Sequence, residues 1–355
     1  MTTRERPDVA APAVAPLDPD VAAAVRHLYA GRVGESLRLL EQPPTAPRGR
    51  ADRVLATACT IEARLARGEL AVAMRAGRDL QAELELGADP AIDPAIDPIT
   101  GPADDPVAAV AHHSCGELAA ALGDTEEALA HQLRSGRLLA GTRRTPHGPH
   151  LLPWRGSAAL ALVRLGRGRE GLRLAAEWAD VAAASESSIA RAHALRTLAV
   201  VGPGHDRTER LHEARALLGE HSAARLAAQI DTDLAALLLL QHAAPTPEAR
   251  RAVQMLREVE EYAGREELRP LQARVRELLH RAGEAPRRHQ REALAMLTHT
   301  EQRIARLAAD GLTNRQIAAR MTVTVKVVER HLSQVYRKLE IGSRARLPAA
   351  FGLAV

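Results

Sequence analysis

The 355-residue sequence has very few aromatic residues and cysteines. Phe, Trp and Tyr together make up 2% of it, which argues against a β-sheet core because sheets draw on aromatic and β-branched side chains. Hydrophobic residues make up 46% and are mostly alanine and leucine, which favour helices. Cys59 and Cys115 stand alone, so neither a disulfide framework nor a cysteine metal site is expected. The composition predicts an all-α fold.

Lysine is equally scarce, since Lys326 and Lys338 are the only two among 48 basic residues. A phosphate-binding loop of the type G-x-x-x-x-G-K-[ST] is therefore absent, and no G-x-S-x-G motif, no H-E-x-x-H motif and no G-x-G-x-x-G motif after a predicted strand is present. His147 and His150 have no carboxylate or thiol nearby in the sequence to complete a metal site, and His112 lies in a predicted helix. We expect no enzyme activity, no cofactor and no metal.

Long apolar runs are missing too, so no membrane span is predicted, and the N-terminus lacks a signal-peptide core. We therefore expect a cytoplasmic protein. The net charge is +4, but residues 287–346 contain 13 Lys or Arg and 5 Asp or Glu. A basic segment of this kind suits the neutralisation of phosphates.

The basic segment has the pattern of a helix-turn-helix. Thr298 with Glu301 and Thr313 with Gln316 are capping boxes, which predict helices starting at about His299 and Asn314. Gly311 ends the first helix, and small Ala318 suits a close crossing of the two. Thr324 is the predicted N-cap of a third helix over residues 325–340.

The third helix has two distinct faces. Apolar residues recur at i, i+4, i+7 and i+11 and predict its buried face, comprising Val328, Leu332, Val335 and Leu339. The opposite face carries Lys326, Glu329, Arg330, Ser333 and Arg337. Such side chains can read hydrogen-bonding groups in the major groove of DNA. An ordinary solvated helix face is the simpler alternative, but the preceding short capped helix favours DNA reading.

This segment resembles the LuxR-type DNA-binding domain, a four-helix module of bacterial transcription factors, at G-L-T-N-R-Q-I-A-A-R-M and V-V-E-R-H-L-S-Q-V-Y-R-K-L. Ser343 and Arg344 resemble the start of its fourth helix. The resemblance implies base contacts at Glu329, Arg330 and Ser333, to which the outward Lys326 is added. It implies DNA-backbone contacts or bracing at Asn314, Thr324, His331, Arg337 and Lys338. Val327 stands where the family usually has threonine, which removes a hydroxyl that could reach a phosphate.

The preceding region predicts helical hairpins. Four glycines, each followed five residues later by a small residue and Leu or Met, mark the turns and seams: Gly31, Gly68, Gly123 and Gly166. The unit A-L-G-D-T-E-E-A-L at residues 121–129 resembles a tetratricopeptide hairpin, although the spacing is irregular. Proline-rich residues 87–106 and residues 142–153 are predicted loops. The segment order resembles the C-terminal part of large ATP-binding LuxR-type regulators, without their nucleotide-binding domain.

These features predict four regions. They are a disordered tail at 1–17, a tetratricopeptide-like region at 18–284, a linker at 285–296 and the helix-turn-helix domain at 297–355. The interpretation is a sequence-specific, DNA-binding transcriptional regulator that binds double-stranded DNA as a homodimer. Its helical repeats would sense a peptide, a partner protein or a small molecule. The alternative is an interaction scaffold whose helix-turn-helix no longer binds DNA, suggested by Glu329 on the reading face and by Val327.

Overall fold

The computed structural model describes residues 17–44, 47–86, 105–139, 152–204, 206–219, 223–242, 246–284 and 296–339, together with 341, 343, 344 and 347. These residues form sixteen α-helices and no strand, which confirms the all-α prediction. None of these helices is both long and apolar enough to cross a bilayer.

The helices up to residue 281 are α1 (Pro19–Tyr29), α2 (Val33–Glu41), α3 (Arg50–Arg67), α4 (Leu70–Leu86), α5 (Pro106–Leu122), α6 (Thr125–Leu138), α7 (Trp154–Arg164), α8 (Gly168–Ala183), α9 (Ser188–Val201), α10 (Arg207–Leu217), α11 (Ala224–Gln241), α12 (Pro247–Arg265) and α13 (Arg269–Arg281). Three more helices follow: α14 (His299–Ala309), α15 (Asn314–Met321) and α16 (Val325–Lys338). The chain falls into two compact units, one comprising Met1–Met255 with Glu266–Leu271 and the other Leu256–Arg265 with Gln272–Val355.

Several predicted segments lie outside the described residues. They are the tail up to residue 16, most of the two proline-containing loops (87–104 and 140–151, with His147 and His150) and most of the linker (285–295). Pro106, placed in the first loop by the sequence, is instead the first residue of α5, where Asp105 caps the helix. Proline suits this position because the first helical N–H has no intrahelical partner.

Successive helices of the first unit pack against each other from α1 to α11. The four predicted turn glycines all have positive φ, between 74° and 90°, a conformation that residues with a Cβ rarely adopt. The small residues predicted at the seams are buried, namely Ser36, Ala73, Ala128 and Gly171. Met74, predicted to fill a seam, is instead 41% exposed. The helical hairpins are thus present, and their likeness to tetratricopeptide repeats stays a prediction.

Gly171 shows how close these helices come. A Cβ at this position of α8 would lie 2.8 Å from the carbonyl oxygen of Ala159 and 2.9 Å from Val163 Cγ2, both on α7. Real Cβ atoms do not approach a backbone oxygen so closely. The two helices would therefore have to move apart to admit any side chain.

We expect Gly171→Ala to lower the free energy of unfolding by about 1–2 kcal/mol, because the overpacking outweighs the helix propensity of alanine. Gly168→Ala in the same helix is the matched control, since a Cβ there meets nothing within 4 Å. It should be neutral or stabilising. Urea unfolding followed by circular dichroism measures both, and equal stability of the two variants would contradict the close packing at Gly171.

Contacts between helices that are far apart in the sequence also hold the first unit together. The Ala224 N–H at the start of α11 donates to the Ala30 carbonyl after α1, at 3.3 Å. Arg225 pairs with Glu62 of α3. The turn before α13 contributes Glu266, which accepts a hydrogen bond from the Gly34 N–H at 3.2 Å. The early helices are therefore held directly against elements some 160 to 230 residues later in the chain.

Candidate nucleic-acid interface

Both predicted capping boxes are present and set the start of α14 and α15. The Glu301 N–H donates to Thr298 Oγ1 at 3.3 Å and the Thr298 N–H donates to Glu301 Oε2 at 2.7 Å. Thr313 and Gln316 form the same reciprocal pair. Each box satisfies N–H groups that the first turn of a helix cannot pair internally.

The third helix, α16, is held by its apolar face. Val328, Leu332 and Val335 are at most 3% exposed and pack in a shared core with residues of α14 and α15. Ala318 of α15 is 6% exposed in the same core, as its small side chain predicted. Leu339, the last residue of the predicted apolar face, is only partly buried. The core thereby determines which side of α16 faces outward.

The outward side of α16 carries the predicted base-reading residues. Lys326, Glu329, Arg330 and Ser333 are all exposed. Arg337, seven residues after Arg330, is exposed as well. Ser333 Oγ donates its hydrogen to the Glu329 carbonyl at 3.0 Å. The hydroxyl oxygen can therefore only accept a hydrogen bond from another molecule. The charged side chains of Lys326, Glu329, Arg330 and Arg337 make no hydrogen bond or ion pair with other described residues.

Two predicted backbone-contacting residues flank this face. Thr324 occupies the N-cap position of α16 with an extended backbone, but its side chain makes no capping hydrogen bond. Its exposed hydroxyl is thus not used for the cap that the sequence predicted. His331 is half-buried, and its Nδ1 has no hydrogen-bond partner among the described residues.

Asn314, at the start of α15, is oriented by Arg344. An Arg344 Nη1 hydrogen donates to Asn314 Oδ1 at 2.9 Å, while Nη2 donates to the carbonyls of Ala308 and Leu312. The guanidinium thus ties the last turn of α14, at Ala308, to the turn that leads into α15, at Leu312. Because the Asn314 oxygen is engaged, its amide N–H groups remain as donors for an external acceptor.

Lys338 has partners within its own domain. Its Nζ donates to Glu301 Oε2 at 2.6 Å and to the Met296 carbonyl at 3.3 Å, and its side chain is 27% exposed. Glu301 is 3% exposed. Burial alone would raise the pKa of Glu301, but the hydrogen bonds from Lys338 and Thr298 outweigh burial and lower it. Lys338 therefore joins the end of α16 to the start of α14.

Residues 295–349 match the family model "Bacterial regulatory proteins, luxR family". The C-terminal segment is a LuxR-family helix-turn-helix domain. The chain is also 38% identical over 65 residues to a provisionally named HTH-type transcriptional regulator of Mycobacterium bovis and to two of Mycobacterium tuberculosis. Each alignment covers 18% of this chain and 7% of the relative, so most of either protein lies outside the similarity.

Sequence reasoning missed two features of the LuxR-family domain. Glu301 was predicted as a capping residue but not as the partner of Lys338, because the two are 37 residues apart. Arg344 was predicted only to lie near the start of a fourth helix, and its contacts with Asn314, Ala308 and Leu312 were not predicted. Residues 345, 346 and those after 347 lie outside the described part of the chain. Leu347 is fully buried in the domain core. No local pattern in the sequence could have indicated either pairing.

Proposed function

We propose that the protein is a sequence-specific DNA-binding transcriptional regulator that inserts α16 into the major groove. The observation that carries this proposal is the outward side of α16, where exposed Lys326, Glu329, Arg330 and Arg337 have no partner among the described residues while Val328, Leu332 and Val335 anchor the opposite side. Groups free to bond and held on a rigid helix are what direct base reading requires.

The roles of individual residues follow from their positions. Lys326, Glu329, Arg330 and Ser333 are proposed to face base edges. Arg337, Thr324, His331 and the amide of Asn314 are proposed to meet the sugar-phosphate backbone and position the helix. Lys338 is proposed to act there as well, although its ammonium first stabilises the domain through Glu301.

The remaining parts of the proposal concern assembly and regulation. We propose that residues 297–355 are the DNA-binding domain and that residues 18–284 sense a ligand or a partner protein, without enzymatic chemistry. A homodimer would present two copies of α16 to half-sites about 10 base pairs apart. Because the DNA of a bacterial cell is in the cytoplasm, we propose that the protein acts there.

Binding-site selection from a pool of random duplexes tests this function with the full chain. We expect a selected duplex, with two related half-sites, to bind at least about 10³-fold more tightly than its scrambled counterpart. The logarithm of the binding constant should fall linearly with the logarithm of salt concentration, because phosphate contacts release counterions. Failure to enrich any sequence, with no duplex binding at low salt, would reject the proposal and favour an interaction scaffold.

A further inference from the structure

Helices of the first unit line a partly open cavity of about 580 Å³. Its wall includes Tyr29 of α1, Glu62 of α3, His113 of α5, Trp178 of α8, His193 of α9 and Arg225 of α11. This volume is within the range of about 300–1,000 Å³ that is typical of small-molecule sites. The hydrogen bond from Ala224 to Ala30 and the pairing of Arg225 with Glu62 connect the start of α11 to the end of α1 and to α3 at this cavity.

A smaller space of about 100 Å³ shares Tyr29, Glu62 and His113 with the cavity. Its other lining residues include Val25, Leu55, Cys59 and Val110, and it is therefore largely apolar. A short alkyl group or a single ring would fit such a recess. The two spaces together suit a molecule with an apolar body and polar groups near its middle.

The polar groups of the wall are preorganised. Trp178 Nε1 donates to His193 Nδ1 at 3.3 Å, and burial lowers the pKa of His193 to about 3. His193 is therefore neutral at pH 7 and carries its proton on Nε2, a hydrogen-bond donor. His113 Nδ1 donates to Gln132 Oε1 at 2.7 Å, because an amide oxygen only accepts. Burial also raises the pKa of Tyr29, so its phenol keeps its proton.

Two of the three arginines in the wall are already paired with carboxylates. Arg225 pairs with Glu62, and Arg196 Nε donates to Asp233 Oδ2 at 2.8 Å. Two further lining charges, Glu117 and Arg164, are of opposite sign. Beside these paired groups, a charged ligand would lose its hydration without gaining an uncompensated counter-charge, whereas an uncharged ligand would not incur this cost.

We propose that this cavity binds an uncharged, mainly apolar small molecule that hydrogen-bonds to His113 and His193. This site would be where the first unit senses its ligand. Ligand binding itself does not depend on the function proposed above, but a regulatory effect of the ligand on DNA binding rests on it. A ligand here touches several helices between α1 and α11, and so its binding energy stabilises their packing in the first unit.

Fluorescence titration of the full chain with N-phenyl-1-naphthylamine, without DNA, tests the site. This probe is uncharged and apolar, and it carries one N–H donor. Its sulfonated analogue, 8-anilino-1-naphthalenesulfonate, has the same rings with an added negative charge. We expect saturable one-to-one binding of the uncharged probe, and about tenfold weaker binding of the sulfonate because its charge must be desolvated.

Two substitutions locate the probe. Ser157→Phe and Ala121→Phe each add a ring to the cavity wall, and either should weaken probe binding about tenfold or more, since pockets discriminate by size. Ala121 is exposed, so its variant should fold even if the half-buried Ser157 does not tolerate phenylalanine. Ser188→Phe, an exposed change outside the cavity wall, is the matched control and should leave binding within about twofold.

Absence of saturable binding, equal affinity for the two probes, or unchanged affinity in the Ala121→Phe variant would overturn the assignment. Duplex titrations of the same proteins separate this result from the proposed function. A chain that binds a selected duplex but not the probe retains the DNA-reading role and loses the cavity site. A chain that binds the probe but no duplex retains the cavity site and loses the regulatory interpretation.

Discussion

Replacing Arg330 by alanine should cost about 1–3 kcal/mol of binding free energy on the preferred duplex, with little loss on scrambled DNA. Arg330 is exposed in the first half of α16, with Val328 and Leu332 buried on the opposite side. Its guanidinium has no partner among the described residues, so removing it should disturb the folded domain little. A planar guanidinium can donate two hydrogen bonds to one guanine, and discrimination at one base pair should therefore relax.

Arg337→Ala is the matched control, because it removes the same side chain from the same helix. Arg337 is also exposed, seven residues and about 10 Å further along the helix axis. As a phosphate contact, it should weaken binding to both duplexes about equally and reduce the salt slope by about one. Anisotropy titrations at several salt concentrations compare the two variants. Equal losses on both duplexes for Arg330→Ala would contradict its role in base reading.

Replacing Lys338 by methionine is expected to destabilise the LuxR-family domain by about 2 kcal/mol. Methionine keeps much of the apolar side chain but removes the ammonium that bonds Glu301 and the Met296 carbonyl. Glu301 would remain as a buried carboxylate without its cation, bonded only through its capping interactions. Hydrogen exchange of the α14 and α16 amides in the full chain should report the loss.

Lys326→Met is the control for this prediction, since Lys326 lies on the same helix and is exposed. Its effect on the same amides should stay within about 0.5 kcal/mol. Adding Glu301→Gln to Lys338→Met should recover part of the lost stability, because no unpaired charge is then buried. If Lys338→Met left the exchange of α14 unchanged, the pairing with Glu301 would not contribute to the stability of the domain.

The sequence alone determined the features that depend on neighbouring residues. Alanine and leucine usage with few aromatics indicated an all-α protein, and Thr298 with Glu301 and Thr313 with Gln316 located two helix starts. The spacing of Val328, Leu332 and Val335 identified the buried side of α16, and hence its outward side. These predictions hold because caps and helical periodicity act over three to eleven residues, a range that the sequence displays directly.

Only the tertiary structure decided which distant residues meet. In the folded chain Lys338 bonds to Glu301, and Arg344 bonds to the Ala308 carbonyl in the last turn of α14. Tyr29, His113 and His193, from three different helices, line one cavity. The tertiary structure also left the Thr324 hydroxyl out of the cap that its position predicted. Such pairings depend on the relative placement of whole helices, which the packing of many apolar side chains sets and which no short pattern encodes.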